Sequence, residues 1–325
     1  PRHPDLKVTY NWMPKERMAK VTVRQTQNVD DNVLLYQFPT KLRFTVNGAT
    51  VDHEIEVREV ESDFYVALDA QPSMVRFDPD YTVLADVTFD KSGKLIKAQI
   101  ENQADMVGRL LACQLLADRK THESVAMLEK ALGEDTFYGV RVSAARSLAK
   151  HESDEAFKVL ENNWKNQSDA RVRLAVVETI VNRYSEHTPT LIDEILRVEK
   201  NPAIQAAAIK GLGRFHGDES RKQILKFLGA DSFRNELAVA AVAAIRQQND
   251  SSYAAPLLEV LKHREESFSS RDFGRGLESL AHVSQLRDDK DDVREFLATY
   301  VNHPKSPVRI AAFGALGTLG DPKSI

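Results

Sequence analysis

A nine-residue pattern that occurs seven times is the strongest constraint on what this 325-residue chain can fold into. Val140-Arg141-Val142-Ser143-Ala144-Ala145-Arg146-Ser147-Leu148 comes back as Val172–Ile180, Ile204–Leu212, Leu237–Ile245, Asp272–Leu280 and Val308–Leu316, and a weaker first copy runs Gly108–Leu116. Successive copies are offset by 32, 32, 32, 33, 35 and 36 residues. The fifth position is small in six copies: Ala112, Ala144, Ala208, Ala241, Gly276 and Ala312, with Val176 in the seventh. The ninth is always Leu or Ile. Positions five and nine lie four apart and share one helix face, so a small residue there lets a neighbouring helix approach while the larger one fills the seam.

Between the copies lie further apolar stripes at helical spacing: Val125/Leu128/Leu132, Phe157/Leu160, Leu191/Ile195/Val198, Ile224/Phe227/Leu228, Leu257/Leu258/Leu261 and Val293/Phe296/Leu297. Asp105, Asp169 and Asn201 each stand three residues before a copy, where a short polar side chain caps a helix. The unit is therefore helix, turn, helix, and it buries its apolar face only by stacking on its neighbours. The ankyrin and tetratricopeptide signatures are absent. The V-R-x-x-A-A-x-x-L pattern resembles short HEAT-like repeats. That resemblance implies that Arg109, Arg141, Arg173 and Arg309, all in the second position, pair with acidic residues of neighbouring repeats.

Before residue 94 the period is two. Val21, Val23 and Gln25 alternate with Thr22 and Arg24, and Leu42, Phe44 and Val46 alternate with Arg43 and Thr45. Ile55 and Val57, Phe64, Val66 and Leu68, and Met74–Phe77 supply further short runs. Turn signals separate them at Asp30-Asp31-Asn32, Asn47-Gly48, Ser62-Asp63, Asp78-Pro79 and Ser92-Gly93. Six or seven strands with one wet face each predict an antiparallel sandwich. The fold class expected is thus α+β and multidomain, with a β-sandwich over 1–93. A HEAT/ARM-like solenoid of about seven repeats follows over 94–325, the last repeat truncated.

Charge narrows the functions. The net charge of −4 divides evenly, near −2 on either side of residue 100, so no half carries the footprint of a nucleic-acid binder. No apolar run approaches the roughly 18 residues of a membrane span. One cysteine, Cys113, rules out an intrachain disulfide and leaves the compartment open, with the cytoplasm favoured.

Catalytic constellations are incomplete. His122-Glu123 and His151-Glu152 begin the zinc-peptidase motif, but Ala126 and Glu155 stand where its second histidine belongs. The remaining histidines are scattered and read as loop or helix-end residues. Cys113 falls in the apolar sixth position and reads as a buried thiol. Gly211-Leu212-Gly213 and Gly274-Arg275-Gly276 lack the strand that a phosphate loop requires and read as packing or turn glycines. Asp288-Asp289-Lys290-Asp291-Asp292 reads as an acidic helix start. No catalytic, cofactor-binding or metal-binding residue is expected in this segment.

Several stretches in the β-region resemble the small sandwich of aminopeptidase-N-like zinc metallopeptidases. These are Arg2-His3-Pro4-Asp5-Leu6-Lys7-Val8, Val21–Gln27, Phe38-Pro39-Thr40-Lys41-Leu42 and Pro72–Pro79. In that family the sandwich follows a catalytic domain and precedes a helical superhelix that caps the substrate chamber. The resemblance implies a non-catalytic C-terminal region that shapes peptide access. Its partners would be its own N-terminal catalytic domain and that domain's peptide substrates, and the zinc would lie in the absent domain. H-E-x-x-H and G-x-M-E-N are both missing here, so no catalytic residue carries over. Both ends read as cut from a longer protein. Two alternatives stand beside this one: a HEAT-repeat scaffold for protein–protein interaction without peptidase activity, as in a transcription-factor subunit related to these enzymes, and a free-standing interaction module.

Overall fold

A computed structural model describes residues 3–30 and 33–324. Pro1, Arg2, the Asp31-Asn32 part of the first turn signal, and Ile325 lie outside the described residues. The chain divides into two compact units, residues 1–157 and 158–325.

The first unit opens with seven strands: β1 (Asp5–Met13), β2 (Met18–Gln25), β3 (Phe38–Val46), β4 (Ala49–Val57), β5 (Glu61–Ala67), β6 (Met74–Phe77) and β7 (Asp86–Phe89). They form a four-stranded sheet, β5-β2-β1-β7, and a three-stranded sheet, β4-β3-β6. The alternation follows the pleat. Val21 and Val23 point inward, as do Leu42 and Phe44, and all four are fully buried in one core with Leu6, Val8, Val57 and Val75. On the wet face Arg43 and Asp52 stand opposite each other and form a two-point ion pair at 2.7 Å. Asn47 and Gly48 both have positive φ, the geometry a two-residue hairpin between β3 and β4 demands.

Three expectations are corrected. The sandwich is not wholly antiparallel, because β7 pairs parallel with β1. The chain reaches that edge only after completing the other strands, and so arrives running in the same direction as β1. Ser62-Asp63 is no turn but part of β5, paired with Val23 and Thr22. There Asp63 accepts from the Thr22 hydroxyl and pairs with Lys20 at 2.8 Å, a polar ladder on the wet face. Ser92 caps a helix, and its hydroxyl accepts from the Leu95 amide. Gln25 keeps the apolar phase of β2 because its buried amide has work there: it donates to the Tyr36 and Glu59 carbonyls and accepts from the Tyr36 amide.

Fourteen helices follow among the described residues. In the first unit they are α1 (Gly93–Glu101), α2 (Met106–Ala117), α3 (His122–Glu134), α4 (Tyr138–His151) and α5 (Asp154–Asn163), the last straddling the boundary with the second unit. The second unit holds α6 (Ala170–Asn182), α7 (Thr188–Val198), α8 (Pro202–Leu212), α9 (Asp218–Leu228), α10 (Glu236–Gln248), α11 (Ala254–His263), α12 (Ser270–Ser284), α13 (Asp291–Ala298) and α14 (Ser306–Leu319). All seven copies of the nine-residue pattern fall on the even-numbered helices. Every fifth-position side chain is buried, as is every ninth except half-buried Leu316. Asp105, Asp169 and Asn201 cap α2, α6 and α8 as expected. The structure is thus α+β, with a helical-repeat region of solenoid type after the strands.

The odd-numbered helices follow their expected stripes with one shift. In α7 the buried residues are Ile192, Ile195 and Leu196, while Val198 is exposed. The last even helix also differs: Phe313 holds the apolar sixth position yet is 62% exposed, since nothing in the described chain covers that side of α14.

Candidate functional site

Within the second unit the even helices α6, α8, α10 and α12 leave a groove of about 650 Å³. Within it α6 and α8 approach closely: a Cβ added at Gly211 would stand 2.7 Å from the Val181 Cβ. Leu174, Ala207 and Val239 give the groove an apolar floor. Glu178, Lys210, Arg234 and Glu236 stand around it, and none of these four makes an intrachain ion pair among the described residues. Two charges of each sign are therefore free to meet complementary groups.

One edge of the groove is a strained loop. Arg234 and Asn235 are consecutive non-glycine residues with φ of 50° and 57°. Each left-handed residue of this kind costs roughly 1 kcal/mol. The Asn235 side chain is buried, and neither its oxygen nor its nitrogen has a hydrogen-bond partner. Beside it Phe233 is 68% exposed, with the Arg234 guanidinium 5.2 Å from its ring centre. Strain, an unsatisfied amide and a displayed aromatic ring together mark a place where the chain gives up stability. Sequence reading passed over this loop. The available signal was the step from an offset of 32 to one of 33 between Ile204 and Leu237, which inserts one residue there.

The motifs weighed for chemistry are dispersed. His122 pairs with Glu155 on the surface, and His263 with Glu259 at 2.7 Å. His303 meets Glu265 at 3.1 Å. His151 ends α4 as expected but is buried, its Nδ1 3.1 Å from the Ser153 hydroxyl. Among the described residues no three His, Cys, Asp or Glu side chains cluster as metal ligands would. Cys113 is fully buried, and burial pushes its pKa up to about 12. Asp291 and Asp292 start α13, Asp291 pairing with Arg294 and Lys323 and Asp292 with Arg287. A Cβ on Gly276 would strike the Leu261 side chain at 2.7 Å, so this glycine serves packing. No helix among the described residues is long and apolar enough to cross a membrane.

Arg109, Arg173 and Arg309, three of the four second-position arginines, hold turns together. Arg109 forms a two-point pair with Asp135, and its Nη1 donates to the Asn102 and Gln103 carbonyls. Arg173 repeats the arrangement with Glu199 and the Gln167 and Ser168 carbonyls. Both acids lie 26 residues after their arginine, at the C-caps of α3 and α7. Arg309 makes the same carbonyl contacts, to His303 and Pro304.

Residues 94–180 match the profile of HEAT repeats. No curated protein matches the chain. Three solved structures show how far the likeness extends. A Legionella pneumophila aminopeptidase A in complex with aspartic acid is 9% identical, covering 97% of this chain and 49% of its own, with a TM-score of 0.40. The chain thus spans about half the length of that relative. The CpcE–CpcF complex of phycocyanin lyase from Nostoc sp. PCC7120 is 18% identical over 71% of this chain and 95% of its own, with a TM-score of 0.42. Human deoxyhypusine hydroxylase in complex with glycerol is 14% identical over 70% and 85%, with a TM-score of 0.34.

Proposed function

We propose that this chain is a HEAT-repeat scaffold that binds a partner protein in the groove of its second unit. One observation carries the reading: four charged side chains, Glu178, Lys210, Arg234 and Glu236, surround an apolar floor without intrachain partners. Helical repeats commonly present such extended surfaces to other proteins. An apolar floor with a mixed-charge rim fits a peptide segment or helix of matching pattern. The test places a photo-crosslinking residue at exposed Ala203 in the groove and, as control, at exposed Lys222 on α9. A partner captured only from Ala203 is then titrated against Lys210→Glu and Arg234→Glu. The affinity is expected to fall at least tenfold for each, with unchanged thermal stability. Equal capture from both positions, or unchanged affinity in both variants, counts against the scaffold.

A finer reading rests on the β-region. The quoted stretches keep their order along a sandwich that directly precedes the helices: Val21–Gln25 lies on β2, Phe38-Pro39 opens β3 and Met74–Phe77 is β6. On this reading the chain is the non-catalytic C-terminal region of an aminopeptidase-N-like metallopeptidase. It caps a catalytic domain that holds the zinc, and it limits entry to peptides. The test is hydrolysis of aminoacyl substrates, with added zinc, by this chain and by a longer parent. Activity in the parent alone supports the reading, and activity in neither argues against it.

A further inference from the structure

We propose that the first unit binds a small monocarboxylate with an apolar body in the cavity where β6 and β7 meet α1 and α2, with Arg76 and Lys91 taking the carboxylate. The cavity measures about 410 Å³, within the range of small-molecule sites. Its wall is apolar, from Phe77, Val87, Phe89, Leu111 and Leu115. Its polar floor is Arg76, Lys91 and Gln99, all three buried.

Arg76 is the observation that asks for a ligand. It is 1% exposed, and Nε, Nη1 and Nη2 all lack a well-aligned hydrogen bond, although the Tyr81 side chain lies close enough to feel the guanidinium. Asp105 lies 3.3 Å from Nε without hydrogen-bond alignment, and its Oδ2 is unsatisfied too. A guanidinium carries five N–H donors, and a buried charged donor left empty is among the most costly features a fold can retain. The fold has made room for it. The first copy of the repeat has Gly108 where the others carry a side chain. A Cβ there would stand 2.9 Å from Arg76 Nη1 and collide with the Asp105 carboxylate.

Lys91 stands beside it. Its ammonium donates to the Val75 carbonyl at 2.7 Å and to Gln99 Oε1 at 2.6 Å, which leaves one of three N–H groups without a hydrogen-bond acceptor, with the Phe89 ring centre 4.4 Å from Nζ. Gln99 is fixed in turn by donating to the Gly108 carbonyl at 2.7 Å. Burial, and then the Arg76 charge, push the Lys91 pKa down to about 7 against the pull of Asp105. An arriving carboxylate favours the charged ammonium and draws a proton onto it.

Charge balance selects a monoanion. Arg76 is offset by Asp105, so the site gains at most one net positive charge when Lys91 is protonated. Asp78 faces this region but is already engaged by Thr40, Thr82 and Val83. Exposed Asp86 and Asp118 line the rim and repel a dianion, and the remaining titratable group there is half-exposed Tyr81.

The experiment titrates the whole chain with octanoate, 1-octanol and octyl phosphate by calorimetry at pH 6 and pH 9. Octanoate is expected to bind one to one, at least tenfold tighter than either analogue. It should bind more weakly at pH 9 and take up a proton on binding near pH 7. Arg76→Met should abolish the preference for octanoate over octanol. Leu115→Trp, which fills the cavity without touching a charge, should abolish binding of all three while the protein stays folded. Equal affinity for octanoate and octanol, tighter binding of octyl phosphate, undiminished binding to Leu115→Trp, or no saturable octanoate binding each overturn the proposal.

Discussion

Two arginines of the first unit are almost equally buried, Arg76 at 1% and Arg109 at 2% exposure, and their surroundings could hardly differ more. Arg109 reaches Asp135 at 2.6 and 3.2 Å and the Asn102 and Gln103 carbonyls at 3.0 and 2.9 Å. None of the three Arg76 nitrogens has a well-aligned hydrogen bond; its neighbours are the Asp105 carboxylate, 3.3 Å from Nε, and the Tyr81 side chain. Burial of a charge therefore says little alone; what separates a structural arginine from a binding one is whether its donors are occupied. Arg109 ties the turn before its helix to the turn after the next. Arg76 faces a cavity whose other floor groups, Lys91 and Gln99, hold defined positions around it.

The largest expected effect tests that contrast directly. Arg109→Met leaves Asp135 buried without its partner and should cost about 3–5 kcal/mol of stability. Arg76→Met gives up only the 3.3 Å ion pair with Asp105, which keeps its cap to the Gly108 amide at 2.7 Å, and should cost clearly less than Arg109→Met. Denaturant unfolding of both variants checks this. Similar losses in the two would erase the distinction.

A smaller effect is read from pH. Lys91 is held at about 7 in the fold, below its ordinary 10.5. Between those values the unfolded chain binds the extra proton, so stability rises with pH across the window from 7 to 10.5 and carries the full penalty below it. The gain from pH 7 to pH 9.5 should be on the order of 1 kcal/mol or more. Lys91→Met should flatten the slope in melting curves taken across that range. A slope retained in this variant would assign it to another group.

The arginine that holds turns together could be read in the sequence, and the one facing the cavity could not. The repeat period placed all seven even helices, and the resemblance to HEAT-like repeats implied acidic partners for their arginines; the 26-residue spacing to Asp135 and Glu199 answers that for two of them. These features are local or periodic, and periodicity survives in one dimension. In α7 the expected stripe shares only Ile195 with the buried face, because Leu191, Ile195 and Val198 satisfy helical spacing almost as well as Ile192, Ile195 and Leu196. β7 escaped as a parallel strand since pairing partners distant in sequence leave no local mark. Arg76 sits in a four-residue strand buried on both faces, so alternation gave it no special reading. Its only trace was Gly108, the glycine that weakened the first repeat copy.

The smallest effect comes from Arg173, which copies Arg109 in a more open setting, with 21% of its side chain exposed and 8% of that of Glu199. Burial pushes the Glu199 pKa up, but the Arg173 bond and the Asn201 and Lys200 amides outweigh it, and the net shift is downward. Arg173→Met should cost about 1–2 kcal/mol, less than Arg109→Met, because water screens the pair and the two amides still satisfy Glu199. A carboxylate held below its ordinary value contributes stability above its unfolded pKa and loses it as pH falls through the folded one. The gap between parent and Arg173→Met should therefore be full at pH 7 and close as the pH is lowered below about 4. Melting curves of the two proteins across that range check it. A gap that persists in acid would place the role of Arg173 in its bonds to the Gln167 and Ser168 carbonyls, which do not titrate, and would leave the same carbonyl contacts as the shared device of Arg109, Arg173 and Arg309.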